Sequence, residues 1–128
     1  MTRAQIGGVS PFFIVRDAPA ALAFYRDRLG FDITFQEPAD VPFFGIVARD
    51  GAMIMLKAVG VEPLPNDQRH RNARWDAYFY VPDPDALAAE FATRNVTFSV
   101  PLEDTHEGLR GFEIKDADGY VLFFGRPR

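Results

Sequence analysis

Val15-Arg16-Asp17-Ala18-Pro19, ahead of an alanine-rich stretch, returns later in the chain as Val81-Pro82-Asp83-Pro84. Arg49-Asp50-Gly51, ahead of an apolar stretch, returns as Ala117-Asp118-Gly119. The two offsets nearly agree, 83 − 17 = 66 and 118 − 50 = 68, and each is close to half of the 128 residues. One matched Asp-Gly would carry little weight, because that dipeptide is a common turn. Two matched landmarks in the same order point to two copies of one small strand–helix–strands unit packed as one domain.

From these landmarks the rest of each copy can be read. Asp17 is placed to cap a helix over 17–29, with Pro19 in its first turn, an apolar stripe through Ala21, Leu22, Phe24, Tyr25 and Leu29, and Gly30 as its stop. Before it, 6–15 is rich in aromatic and β-branched residues but interrupted by Pro11, which predicts an edge strand or a bulge. After it, 31–36 and 41–48 read as strands, and Asp50-Gly51 as the hairpin turn into a strand over 52–57. The second copy repeats this order. A strand over 74–81 precedes a helix capped by Asp83 with Leu87, Ala88 and Phe91 on its buried side. Strands over 96–102, 111–115 and 120–125 follow, with a polar loop over 103–110. Residues 58–73 hold Pro63, Pro65, Asn66 and Asp67 among basic side chains without periodicity, and are expected to form a linker or mobile loop in position to act as a lid. The expected division of the single domain 1–128 is module 5–57, linker 58–73 and module 74–126.

Composition narrows the function. A chain of this length buries roughly two thirds of its unfolded surface, enough for a core without metal or disulfide. There are no cysteines, so thiolate chemistry and disulfides are excluded. A formal net charge of −4 with interspersed signs argues against a nucleic-acid surface, although Arg69, Arg71 and Arg74 lie close together. No apolar run has membrane-spanning length, and the start of the chain lacks an apolar signal core, so the expectation is a cytoplasmic protein without membrane contact.

Asp17…Phe24-Tyr25…Leu29-Gly30-Phe31, followed near the end by Asp116-Ala117-Asp118-Gly119-Tyr120-Val121-Leu122, resembles the vicinal oxygen chelate superfamily, which groups glyoxalases, bleomycin-resistance proteins and extradiol dioxygenases. The resemblance spans nearly the whole chain. It implies an α+β fold of paired βαβββ modules, mixed sheets curled around a cavity, and a homodimer that completes the site. Neither motif is chemical, since these residues pack a helix and turn the chain, so they specify architecture and leave function open.

The resemblance also implies where a divalent metal would be held: seven residues before each capping Asp and four after each hairpin Gly. Those positions are Ser10, Asp76, Met55 and Phe123. One carboxylate, a hydroxyl, a thioether and a phenyl ring do not make a site for a metal that wants three or more N, O or thiolate donors. A register slip of one residue offers no ligands either, because Val9, Pro11, Ile54, Leu56, Trp75, Ala77, Leu122 and Phe124 are the neighbours. No metal and no cofactor is expected. His70 and His106 sit among charges and Gly and read as solvated loop residues. His70 is the better placed of the two to serve as a base beneath a closing loop.

Aromatic residues are abundant: thirteen Phe, four Tyr and one Trp. Strand alternation puts Phe12 on the face of Ser10, and Tyr78 and Tyr80 on the face of Asp76. The expected ligand-binding set is Ser10, Phe12, Phe44, Met55, Trp75, Asp76, Tyr78, Glu113 and Phe123, an apolar pocket with few polar groups. Asp76 supplies charge unless Arg16, Arg49 or Arg110 neutralises it, in which case it is structural. The expected function is metal-independent binding of a bulky aromatic or amphipathic small molecule, with a cation suited to the net acidity, as in bleomycin-resistance proteins. The alternative is a lyase or isomerase of glyoxalase or dioxygenase type with an atypical or absent metal site and Asp76 or His70 as base. A third reading is an accessory dimer whose cavity is filled by its own Phe and Met side chains.

Overall fold

The computed structural model describes residues 2–128. The first module comprises β1 (Phe12–Val15), α1 (Ala18–Asp27), β2 (Asp32–Glu37), β3 (Phe44–Arg49) and β4 (Ala52–Ala58). A short helix, α2 (Asn66–Arg69), separates it from β5 (Ala77–Tyr80), α3 (Pro84–Thr93), β6 (Phe98–Asp104), β7 (Leu109–Lys115) and β8 (Val121–Pro127). Each module makes one four-stranded mixed sheet, in order β1-β4-β3-β2 and β5-β8-β7-β6. In each sheet the first and last strands of the module pair in parallel, because the helix carries the chain back across the sheet.

The repeat arises from local chemistry. Asp17 Oδ1 accepts from the Ala20 N–H and Asp83 Oδ1 from the Ala86 N–H, both at 3.1 Å, and a proline stands in the first turn of each helix. Ala18, Ala21, Leu22 and Tyr25, at helical spacing, bury one face of α1. A side chain at Gly45 would meet Leu22 at 2.5 Å, so this glycine on β3 lets α1 lie directly on its sheet. A single core joins the modules through the rings of Phe13 and Tyr120, 4.2 Å apart, and of Phe31 and Phe79, 6.3 Å apart.

Three expectations are corrected. The strand foreseen from residue 6 begins at Phe12, and residues 2–9 are exposed. With Phe12 opposite Met55, residues 6–8 would run past the start of β4 onto the hairpin turn, and beside β4 itself Pro11 has no N–H to give the ladder, so only its carbonyl is bonded, to the Met55 N–H at 3.0 Å. The stretch 58–73 is anchored rather than loose: it contains α2, buries Pro63 and Pro65, and donates the Asn66 N–H to Asp76 Oδ1 at 3.0 Å. The polar loop over 103–110 shrinks to a turn, because β6 and β7 extend into it and the Thr105 N–H closes on the Leu109 carbonyl at 2.7 Å.

Candidate functional site

Each sheet has one face against its own helix and one turned away from it, here called the far face. Strand register aligns the far-face side chains in rows. On the first sheet one row runs Phe12, Met55, Ile46, Phe35 and the next Ile14, Lys57, Phe44, Glu37. On the second sheet the corresponding rows begin Tyr78, Phe123, Glu113, Val100 and Tyr80, Gly125, Gly111. Of the expected set, Phe12, Phe44 and Met55 therefore share one far face, and Tyr78, Phe123 and Glu113 the other. The structure thus places six of the nine in two separate groups rather than one. The ring pairs that cross between the modules, named above, belong to the core on the opposite side.

The second far face carries a built aromatic platform. A Cβ on Gly111 or Gly125 would come within 2.6 Å of the Phe123 ring, so the two glycines are a floor on which that ring lies flat. Trp75 stacks above it at 4.5 Å with an interplanar angle of 28°, and Tyr78 approaches both rings at 5.1 and 5.2 Å. The Arg74 guanidinium sits 4.5 Å from the Trp75 ring and pairs with Glu107. Burial, with Tyr80 beside it, raises the Tyr78 phenol above its ordinary value. The first far face lacks such closure. Phe44 stands between Phe12 at 6.2 Å and Phe35 at 6.0 Å, and Phe12 is 55% exposed.

The polar candidates fall differently. Asp76 accepts from Asn66 N–H through Oδ1 at 3.0 Å and from Val121 N–H through Oδ2 at 2.8 Å. Its carboxylate ties α2 to the start of β8. The three arginines considered as its partners serve Glu62 and Asp118, Glu90, and Asp85 and Asp104 instead. Ser10 precedes β1 and is half-buried. At the metal positions the donors thus reduce to a hydroxyl, a thioether, a ring and a carboxylate already accepting from backbone, a set that does not fit a divalent metal. Among the described residues no three of His, Asp, Glu or Cys come together to hold one. His70 is exposed and accepts from the Asn72 N–H, and His106 is exposed beside Glu107.

Around Glu113 the structure adds groups that the sequence reading missed. Ser99 Oγ donates to Glu113 Oε2 at 2.8 Å, and a hollow of about 240 Å³ is lined by Glu113, Ser99, Lys115, Arg74 and Asp67. Asp67 holds Lys115 Nζ at 3.3 Å through Oδ2, while its other oxygen is buried without a partner. Phe35 was missed for a different reason. A bulge between Ile33 and Phe35 breaks the alternation, so Ile33 faces the core and Phe35 the far side, and the same irregularity recurs between Phe98 and Val100. A cleft of about 790 Å³ lies at the junction of the modules; of the expected residues it includes only Tyr78.

Paired βαβββ modules that share a core and present ring-lined far faces define the architecture, and the donors at the expected metal positions do not make a metal-fitting set. The chain belongs to the Glyoxalase/Bleomycin resistance protein/Dioxygenase superfamily, whose sequence model matches residues 6–124. A comparison with curated proteins found no match. Among solved structures, the chain is similar to TioX from Micromonospora sp. ML1, with TM-score 0.75 and 18% identity over 94% of this chain and 98% of that one. It is also similar to the bleomycin-binding protein of the bleomycin producer Streptomyces verticillus, solved with copper(II)-bleomycin, with TM-score 0.70 and 24% identity over all of both chains. TnmS3, an antibiotic-binding protein from Streptomyces sp. CB03234, has TM-score 0.70 and 22% identity over 100% of this chain and 99% of that one. At these identities the likeness is one of fold.

Proposed function

We propose that the protein binds a bulky aromatic or amphipathic small molecule without a metal of its own, and acts by holding it rather than by transforming it. The observation that carries this reading is the Trp75 and Phe123 stack on its glycine floor, a flat preformed surface flanked by Tyr78. Rings of this kind stabilise planar ligands by stacking and by removal of apolar surface from water. The Glu113, Ser99 and Asp67 hollow beside it suits a hydrogen-bond donor or cation on the same ligand, a role that passes to Glu113 from the backbone-engaged Asp76. Binding of bleomycin or another antibiotic by similarly folded proteins agrees with this class of ligand.

A homodimer completes the proposal. Phe12, Phe35 and Met53 are 55%, 48% and 41% exposed on the first far face, and covering that face with the platform of a second copy would enclose a ligand between rings on both sides. Isothermal calorimetry of chelator-treated protein tests the reading, with bleomycin and planar aromatic cations in one arm and Mn²⁺, Ni²⁺ and Zn²⁺ in the other. Heat from an organic compound, lost in Trp75→Ala, supports it. Tight binding of a metal alone, unaffected by that change, contradicts it.

A further inference from the structure

The two modules meet at two ends related by the repeat, and the ends are finished differently. At one end Tyr120, the first residue after the turn glycine Gly119, is 7% exposed, lays its ring on Phe13 at 4.2 Å and donates its hydroxyl to the Ile14 carbonyl at 2.6 Å. Behind it the buried Tyr25 hydroxyl donates to Asp116 Oδ2, also at 2.6 Å. At the other end the residue after the turn glycine Gly51 is Ala52, and the place of Phe13 on β1 is taken by Phe79 on β5. Register fixes these equivalences: Phe13 pairs with Leu56 and Phe79 with Phe124, while Met53 and Val121, the next residues along, pair with Ala48 and Lys115. The places of Tyr25 and Asp116 fall to Phe91 and Arg49. Arg49 makes a bidentate pair with Glu90 at 2.7 and 2.9 Å and donates to the Leu29 carbonyl at 2.8 Å.

A methyl group thus stands where the repeat has a phenol, and the space is open. It is part of the cleft of about 790 Å³, lined there by Ala52, Phe31, Ala77, Phe79, Leu87 and Phe91. That volume is typical of small-molecule sites. The lining is mostly apolar; of its charged residues Arg49 and Glu90 satisfy each other, Asp83 caps α3 and Asp50 is exposed, so the chemistry favours a neutral planar ring over an ion. We propose that this open junction is a second small-molecule site, separate from the platform of Trp75 and Phe123, and that it takes a phenol-sized aromatic ring, free or as the aryl arm of a larger compound. The occupant is defined by the molecule itself, since Tyr120 shows what the equivalent space accepts.

Phenol and indole are the probes, followed in NMR spectra of the full chain. Site binding shifts the signals of Ala52, Ala77, Phe79 and Leu87. Ala52→Tyr, which builds the missing ring into the cleft, weakens this binding at least tenfold while the Tm holds or rises. Ala52→Leu is the second filling variant if the tyrosine does not fold, with the same loss expected. Trp75→Ala leaves the cleft signals responding, so a failure of the platform reading and a failure here are told apart. Shifts centred on Trp75 and Phe123, binding unchanged in a folded filling variant, or no response to either probe overturn the proposal. So does a wild-type dimer in sedimentation that Ala52→Tyr breaks, because the occupant is then a second copy.

Discussion

The far faces of the two sheets share one backbone plan and have opposite surfaces. Where the second sheet has Gly111 opposite Gly125, the first has Phe44 opposite Lys57. The glycines leave a slot into which Phe123 folds flat, 3% exposed and covered by Trp75. With that slot filled, Met55, the counterpart of Phe123, cannot lie down in the same way, and the rings beside it stay open to solvent. Repetition of a fold therefore fixes strand order and register while two glycines decide whether a face satisfies itself or needs cover. The self-stacked face provides a rigid platform, and the open face provides the apolar area that a partner or ligand removes from water.

The sharpest way to break the comparison is to make the second face resemble the first. Gly125→Val puts a Cβ within 2.6 Å of both the Arg110 carbonyl and the Phe123 ring, so backbone as well as side chain must yield. The expected loss is about 3 kcal/mol of stability, read from urea unfolding, with Trp75 displaced from its stack. If the variant unfolds at the wild-type midpoint, the floor is not what holds Phe123.

A smaller effect, about 2 kcal/mol, concerns the tie that keeps both faces on one body. Asp116 accepts from the Tyr25 hydroxyl and from the N–H groups of Asp118 and Tyr120, yet burial outweighs these bonds and raises its carboxyl to about 6. The folded chain then holds that proton more tightly than the unfolded one. This contribution is complete below the unfolded value near 4 and is lost as pH rises toward 6. Urea midpoints measured across that window should fall for the wild type and change less in Asp116→Asn. Equal slopes would remove Asp116 from the account.

The smallest stability effect is expected on the open face. Phe12→Ser should change monomer stability by under about 0.5 kcal/mol, since the ring is more than half exposed. It should weaken self-association clearly in sedimentation, and an unchanged dimer constant would assign the interface elsewhere.

Much of this arrangement was legible in the sequence. The capping aspartates, the prolines after them and the two Asp-Gly turns specify helices and hairpins through short-range chemistry, so element order and the paired modules could be read directly. Of the far-face candidates, Phe12 and Tyr78 followed from strand alternation, and Met55 and Phe123 from the ligand spacing that the family resemblance implies. Phe35 did not, because a bulge reverses alternation locally and leaves no mark in composition. For Asp76 the sequence offered a ligand charge or a structural carboxylate neutralised by an arginine, and neither reading foresaw the bonds it makes. Its partners are backbone N–H groups of Asn66 and Val121, ten and forty-five residues away, and pairing of that kind depends on tertiary placement. The floor glycines carried a weak signal, two glycines in strand interiors, whose meaning appears only when they stand opposite each other.

The most direct test of the central claim uses Trp75, the only tryptophan in the chain, as its own reporter. Chelator-treated protein is titrated with metal-free bleomycin and with planar aromatic cations while tryptophan emission is followed. The account predicts a saturable change in emission for at least one of these ligands, abolished when Gly125→Val displaces the stack and retained in Ala52→Tyr. Binding seen by calorimetry without any change in Trp75 emission would place the ligand elsewhere and contradict the platform.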